Sequence, residues 1–265
     1  MTLKIAIAGA GGRMGQALLR AAGDGFSVVG GSERPGPSLG RDLGELAGLP
    51  TLGVTASERV GDAARTADIW LDFTTPAATL AALDALPTTS VRAAIVGTTG
   101  LSPGDEARIM AHSRRFAIVK SGNFSLGVNL LLALVEQAAA RLGEDWDIEI
   151  SETHHRRKVD APSGTALMIG ESAAKGRGSK LADLRLAPHD GQTGPRPAGR
   201  IGFAVSREGG VIGDHEAAFA SDEEILTLGH RALDRALFAK GALHAARWAV
   251  DKPPGLYSMR DVLAI

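Results

Sequence analysis

An α/β fold with a parallel sheet is what the first 125 residues predict, on two observations. Short apolar runs alternate with helix-patterned segments, and every run hands over at its carboxyl end to small or polar residues, which is where open parallel sheets bind ligands. The texture then changes towards one long apolar helix, a strongly charged loop and several alternating strands, so a second domain is expected to begin after Ser125.

The opening run, Leu3 to Ala8, leads into Gly9-Ala10-Gly11-Gly12-Arg13-Met14-Gly15 and then QALLRAA, which reads as strand, glycine turn and helix. Glycines let a backbone approach a pyrophosphate, whose charge the helix N-terminus then meets. Met14 stands at the third glycine position of G-x-G-x-x-G, with Gly15 one residue late, so the turn gains weight only from its context. A second strand, Phe26 to Gly30, supplies that context, since it ends in Gly31-Ser32-Glu33-Arg34. Glu33 is placed to hold an adenosine ribose, and Arg34 either faces a 2′-phosphate or is a solvated loop charge. The alternation continues through Ala67 to Thr75, a helix from Pro76 to about Leu86, a strand from Arg92 to Val96 ending in Gly97-Thr98-Thr99-Gly100, and a helix capped by Ser102-Pro103. A strand from Phe116 to Lys120 then ends in Ser121-Gly122-Asn123-Phe124-Ser125.

In the second half a helix is expected from Val128 to about Leu142, followed by a strand, Trp146 to Ile150. Next comes Glu152 to Ala166, where Glu152, His154, His155, Arg156, Arg157, Lys158 and Asp160 crowd together ahead of Ala161-Pro162 and a helix start at Ser163-Gly164-Thr165. Folding alone gains little from such crowding. Cations facing the amides of a helix N-terminus make a receptor for a small carboxylated or phosphorylated molecule, although composition alone allows equally a solvated basic loop. Adjacent side chains in an extended segment point opposite ways, so His154 and His155 cannot easily share a role. Three further strands, Arg200 to Ser206, Val211 to Phe219 and Glu224 to Leu228, are joined by hairpin-like turns and are expected to be antiparallel. A helix from about Ala232 to Ala249 and a short tail, Leu256 to Ile265, complete the pattern.

Composition removes several functional classes. The 265 residues include no cysteine, which excludes disulfides, thiolate metal sites and a cysteine nucleophile, and no Cys/His metal spacing occurs. Net charge is −1 with both signs interspersed and aromatics are 4%, so a nucleic-acid footprint is not expected. The N-terminal apolar run is too short for a signal peptide core or a membrane span, which makes a cytoplasmic location without membrane association the expectation.

Taken together, IAGAGGRMG, the Glu33-Arg34 pair, Leu71-Asp72-Phe73-Thr74, Gly97-Thr98-Thr99-Gly100, the stretch from Asn123 to Asn129, HHRRKVDAPSGTA, Ile201-Gly202-Phe203 and Met259-Arg260-Asp261-Val262 resemble the dihydrodipicolinate reductase family nearly end to end. HHRRKVDAPSGTA carries most of the specificity. The resemblance implies a Rossmann-like dinucleotide-binding domain made of residues 1–125 and 236–265, and an inserted α+β domain at 126–235 for substrate binding and homotetramer assembly. It implies NADH- or NADPH-dependent reduction of 4-hydroxy-tetrahydrodipicolinate, through dihydrodipicolinate, to tetrahydrodipicolinate, by hydride transfer followed by protonation. His154 is similar to the family's proposed acid, with Lys158 as partner, and His155, Lys158, Ser163, Gly164 and Thr165 to the binders of a small dicarboxylate. The cofactor would meet Gly9, Ala10, Gly11, Gly12, Arg13, Met14, Glu33, Arg34, Gly97, Thr98, Thr99, Ser121, Gly122, Asn123 and Phe124. Ser121-Gly122 stands where many relatives carry two alanines, a change between small residues. A different dehydrogenase would keep the glycine turn without explaining HHRRKVDAPSGTA, and a non-catalytic NAD sensor would lose the acid and anion groups that this chain retains.

Overall fold

The computed structural model describes residues 2–23 and 25–265, which divide into two compact units. The first unit comprises Met1–Leu126 and Ala236–Ala264, and the second Gly127–Arg235 with Ile265.

In the first unit the chain runs β1 (Leu3–Ala8), α1 (Arg13–Ala21), β2 (Phe26–Ser32), α2 (Leu43–Leu46), β3 (Ala56–Ser57), α3 (Val60–Ala63), β4 (Ile69–Asp72), α4 (Pro76–Ala85), β5 (Ala93–Val96), α5 (Pro103–His112) and β6 (Ala117–Lys120). All its strands pair in parallel in one seven-stranded sheet, whose order reverses beside β1: β2 and β3 lie on one side and β4 to β6 on the other. Both faces of the sheet are covered, and the two-residue period of a strand sorts its side chains between them. Ile5, Ile7, Ile69, Leu71, Ile95 and Val119 enter one core, and Ala6, Trp70, Ala94, Val96 and Ile118 the other. Burial on both faces is why these strands read as continuous apolar runs.

The second unit contains α6 (Leu126–Ala139), whose first residue closes the first unit, then β7 (Asp147–His154), α7 (Gly164–Gly176), α8 (Leu181–Leu184), β8 (Ile201–Arg207), β9 (Asp214–Ala220) and β10 (Ile225–Arg231). Its sheet runs β10-β9-β7-β8. The antiparallel expectation holds for β9 with β10; β9 also runs antiparallel to β7, whereas β8 pairs in parallel with β7, with His154 opposite Arg207. The turn at Glu208–Gly210 therefore does not close a hairpin between neighbours, because β7 separates β8 from β9. One face of this sheet, from Ile148, Ile150, Ile201, Ala217 and Phe219, packs with Val128, Leu131 and Val135 of α6 and Ile169 and Ala173 of α7.

The chain returns to the first unit with α9 (Ala236–Ala249), β11 (Gly255–Tyr257) and α10 (Met259–Leu263). The tail thus contributes an edge strand, β11 pairing with β6. Helix α9 packs so closely on the loop after β6 that a Cβ on Gly241 would fall 1.7 Å from the Phe124 carbonyl oxygen.

Candidate active site

The candidate residues fall into two groups, one in each unit. In the first, Gly9 adopts φ +59° immediately after β1, and a hydrogen bond from the Gly12 amide to the Gly9 carbonyl (2.9 Å) closes the turn. A Cβ on Gly15 would lie 2.3 Å from the Gly9 carbonyl oxygen, so Gly15 allows α1 to sit against the turn. Here the glycine that follows Met14 does the close packing. Glu33, just beyond β2, accepts from the Gly11 amide (2.8 Å) and from the Arg34 amide (3.2 Å). The guanidinium groups of Arg13 and Arg34 are exposed, and no partner for either is found among the described residues.

A cavity of about 730 Å³ opens at the carboxyl end of β1, where the strand order reverses. Gly9, Gly12, Arg13, Met14, Glu33 and Arg34 line it, together with Asp72, Phe73 and Thr74. Ala10 is fully buried beneath the turn, and Gly11 is held against Ser38 and Glu33. Gly97, Thr98 and Thr99 follow β5, and Ser121, Gly122, Asn123 and Phe124 follow β6, farther along the same edge. They are not among the residues lining the cavity. A close-packed glycine turn, a ribose-height carboxylate and two unpaired guanidiniums fit a dinucleotide with phosphates.

The sequence did not mark Asp72 as a group with a role. Its buried carboxylate accepts from the Trp70 indole (3.2 Å), the Thr74 amide and hydroxyl (3.0 and 2.6 Å) and the Thr79 hydroxyl (3.0 Å). Thr79 in turn contacts Thr98 at 2.7 Å. This cluster ties the ends of β4 and β5 together, and its signal was an acid followed by threonines directly after an apolar strand.

The second group grows from β7. Alternation places Ile148, Ile150, Glu152 and His154 on one face, so the core-facing row ends in a carboxylate and an imidazole. Glu152, whose side chain is completely buried, meets His154 Nδ1 at 2.5 Å. It also accepts both terminal nitrogens of Arg207 (3.0 Å each) and the Ser163 amide (3.0 Å). Burial raises the pKa of Glu152, but the Arg207 guanidinium, His154 and the Ser163 amide together outweigh it and hold the carboxyl below its ordinary range. Ser163 caps α7 by accepting from the Ala166 amide (3.1 Å), and its hydroxyl also contacts His215 Nε2 (3.0 Å). His215 is buried; desolvation first and then His154 push its pKa down to about 4. The His154 and His215 rings meet edge to face at 5.0 Å.

His155 follows the strand. Its Nδ1 is buried without a hydrogen-bond partner among the described residues, and burial, then Arg235 and Arg157, lowers its pKa. Lys158 does not extend to the helix amides: its ammonium pairs with both carboxylate oxygens of Asp160 (2.9 and 2.8 Å), and that contact chiefly lowers the Asp160 pKa. Gly164 and Thr165 form the first turn of α7. Arg207, His215 and Glu152 were not predicted as site residues; Glu152 stood inside the charged stretch, whereas the other two come from strands about fifty residues away.

Residues 3–124 match the family model described as dihydrodipicolinate reductase, N-terminus, and residues 127–263 the one described as dihydrodipicolinate reductase, C-terminus. The chain belongs to the dihydrodipicolinate reductase family. A 4-hydroxy-tetrahydrodipicolinate reductase of Rhizobium rhizogenes is 53% identical over 267 residues, covering 99% of this chain and 97% of the relative. Another, from Brucella abortus, is 51% identical over 98% of both chains. Among solved structures, a dipicolinate-bound dihydrodipicolinate reductase from Paenisporosarcina aligns with a TM-score of 0.76 at 24% identity, over 97% of this chain and 98% of that one. An amine dehydrogenase from Mycobacterium smegmatis shares the fold at a TM-score of 0.60 and 13% identity, over 97% of this chain and 94% of its own. As a dihydrodipicolinate reductase, the chain is an oxidoreductase of diaminopimelate and lysine biosynthesis that reduces 4-hydroxy-tetrahydrodipicolinate with NADH or NADPH. No helix among the described residues is long and apolar enough to cross a membrane.

Proposed function

We propose that the end of β7 and the N-terminus of α7 bind a small dicarboxylate ring and supply its proton, while the loops after β1, β2, β5 and β6 hold the nicotinamide cofactor. The observation that carries this reading is the buried Glu152 carboxylate, which ties the His154 ring to the Ser163 amide at the capped start of α7. The name of the Paenisporosarcina structure, which contains dipicolinate, supports a dicarboxylate.

The bound cofactor supplies a hydride. Binding the substrate falls to Lys158, His155 and the first-turn amides of Gly164 and Thr165, which lie at the positive end of the α7 dipole. The Ser163 amide and hydroxyl are committed to Glu152, Ala166 and His215, so Ser163 contributes by fixing that helix end. Once the conjugated C=C–C=N system is reduced, negative charge must be held and one ring carbon must gain a proton. Lys158 does the first, and the His154 ring delivers the second. In the other unit, Glu33 takes the ribose hydroxyls and Arg34 meets a 2′-phosphate when one is present.

The helix-free face of the second unit's sheet is our proposed tetramer surface, supported by Ile225 (67% exposed) on β10, which alternation with Leu226 sets on that face. The cytoplasm, where a biosynthetic oxidoreductase would meet its cofactor, is the proposed compartment. An assay with freshly generated dihydrodipicolinate and each reduced nicotinamide, alongside light scattering for the four-chain mass, tests these assignments. Unchanged turnover after loss of both His154 and Lys158 would remove the site from this position.

A further inference from the structure

We propose that Glu152 and Arg207 form a positioning pair, which fixes His154 with a proton on Nδ1 and presents Nε2 as the atom that exchanges a proton with substrate. The inference rests on His154 being the acid, and adds the groups that decide which of its nitrogens reacts.

Glu152 lies two residues before His154 on the same face of β7, and its carboxylate receives four hydrogen bonds: two from Arg207, one from the Ser163 amide and one from His154 Nδ1. An ionised carboxylate carries no hydrogen and can only accept. The proton in the contact with His154 therefore sits on Nδ1, whether the ring is neutral or cationic. Neutral imidazole has a single N–H, so in that form Nε2 carries the lone pair. Arg207 makes the arrangement durable. Its planar fork engages both carboxylate oxygens, and because burial raises the Glu152 pKa, this cation favours the ionised form that can only accept from Nδ1. Arg207 is itself anchored through a further bond to the Asp160 carbonyl (2.6 Å), and its strand pairing sets it opposite His154. On the other side of the ring, a Cβ at Gly213 would stand 3.0 Å from Nε2, so glycine there leaves room beside the presented nitrogen. His215 packs edge-on against the ring without a hydrogen bond to it, its Nε2 being directed to Ser163.

The pair acts through His154, and three measurements on the full-length enzyme test it. Nitrogen NMR of the imidazole rings in the unmodified protein should show the neutral His154 ring protonated on Nδ1; protonation on Nε2 overturns the proposal. Glu152→Gln should lower kcat by about 10²-fold while KM for the dicarboxylate stays within about threefold. In a His154→Gln background the same change should cost nothing more, because a positioning residue has no effect without the ring it positions. A large loss in His154→Gln with a full additional loss in the double variant overturns the positioning role alone. Normal kcat in His154→Gln overturns the acid assignment, and this proposal with it. Should Glu152→Gln not fold, the NMR result on the unmodified enzyme decides.

Discussion

At the scale of single residues, the proposed mechanism puts holding and proton supply on different side chains, and kinetics should separate them. Lys158→Ala removes charge complementarity needed in the ground state and the transition state, so KM should rise and kcat should fall. His154→Ala should mainly lower kcat, by roughly 10²- to 10⁴-fold. Binding of NADH should barely change in either variant, which fluorescence titration would measure. In the other unit, the guanidinium of Arg34 has no partner among the described residues, and the carboxylate of the preceding Glu33 already holds the Gly11 amide. Arg34→Ala should therefore weaken NADPH by about tenfold, the worth of one charge-assisted contact, and NADH by much less. Equal losses for the two cofactors would show that Arg34 is only a solvated charge.

Among elements, the short sheet around β7 carries a titration that should make the fold sensitive to acid. His215 is neutral in the fold with a pKa of about 4, against 6.5 for an unperturbed imidazole. Between those values the unfolded chain takes up a proton that the folded chain refuses, so stability is lost as pH falls from 6.5 towards 4. The loss is on the order of 3 kcal/mol at the lower end. Denaturant titrations across that window should show it, and His215→Gln should flatten the slope. Which elements could be read from sequence depended on how local their causes were. The β1 turn and the cap at Ser163 announce themselves through adjacent residues, as does the alternation at β7 that sends His154 and His155 to different places. The parallel pairing of β8 could not be read, since alternation in a strand records which face is buried and says nothing of which neighbour lies beside it. Strand β3 is two residues long and β11 three, too short to carry a period. Arg207 had no local signal at all, because its meaning depends on a carboxylate 55 residues earlier.

For the molecule as a whole, the first unit is made of two separated pieces, and its final piece is not decorative. Ala239, Ala242, Leu243, Ala246, Met259 and Val262, all after residue 236, share one core with Ile5, Ile7 and Leu71, and β11 completes the sheet edge beside β6. This division imposes an order on synthesis. A ribosome finishes every residue of the inserted unit while that core still lacks its last helix, so the middle of the chain is free to fold before the beginning can. Chains halted at residue 235 should accordingly contain a protease-resistant fragment from the second unit, with the first 126 residues readily cleaved; chains extended through residue 263 should protect both. Resistance of the first 126 residues without their C-terminal partner would show that β1 to β6 fold on their own. Otherwise the apolar face awaiting α9 stays uncovered for as long as it takes to translate the insertion.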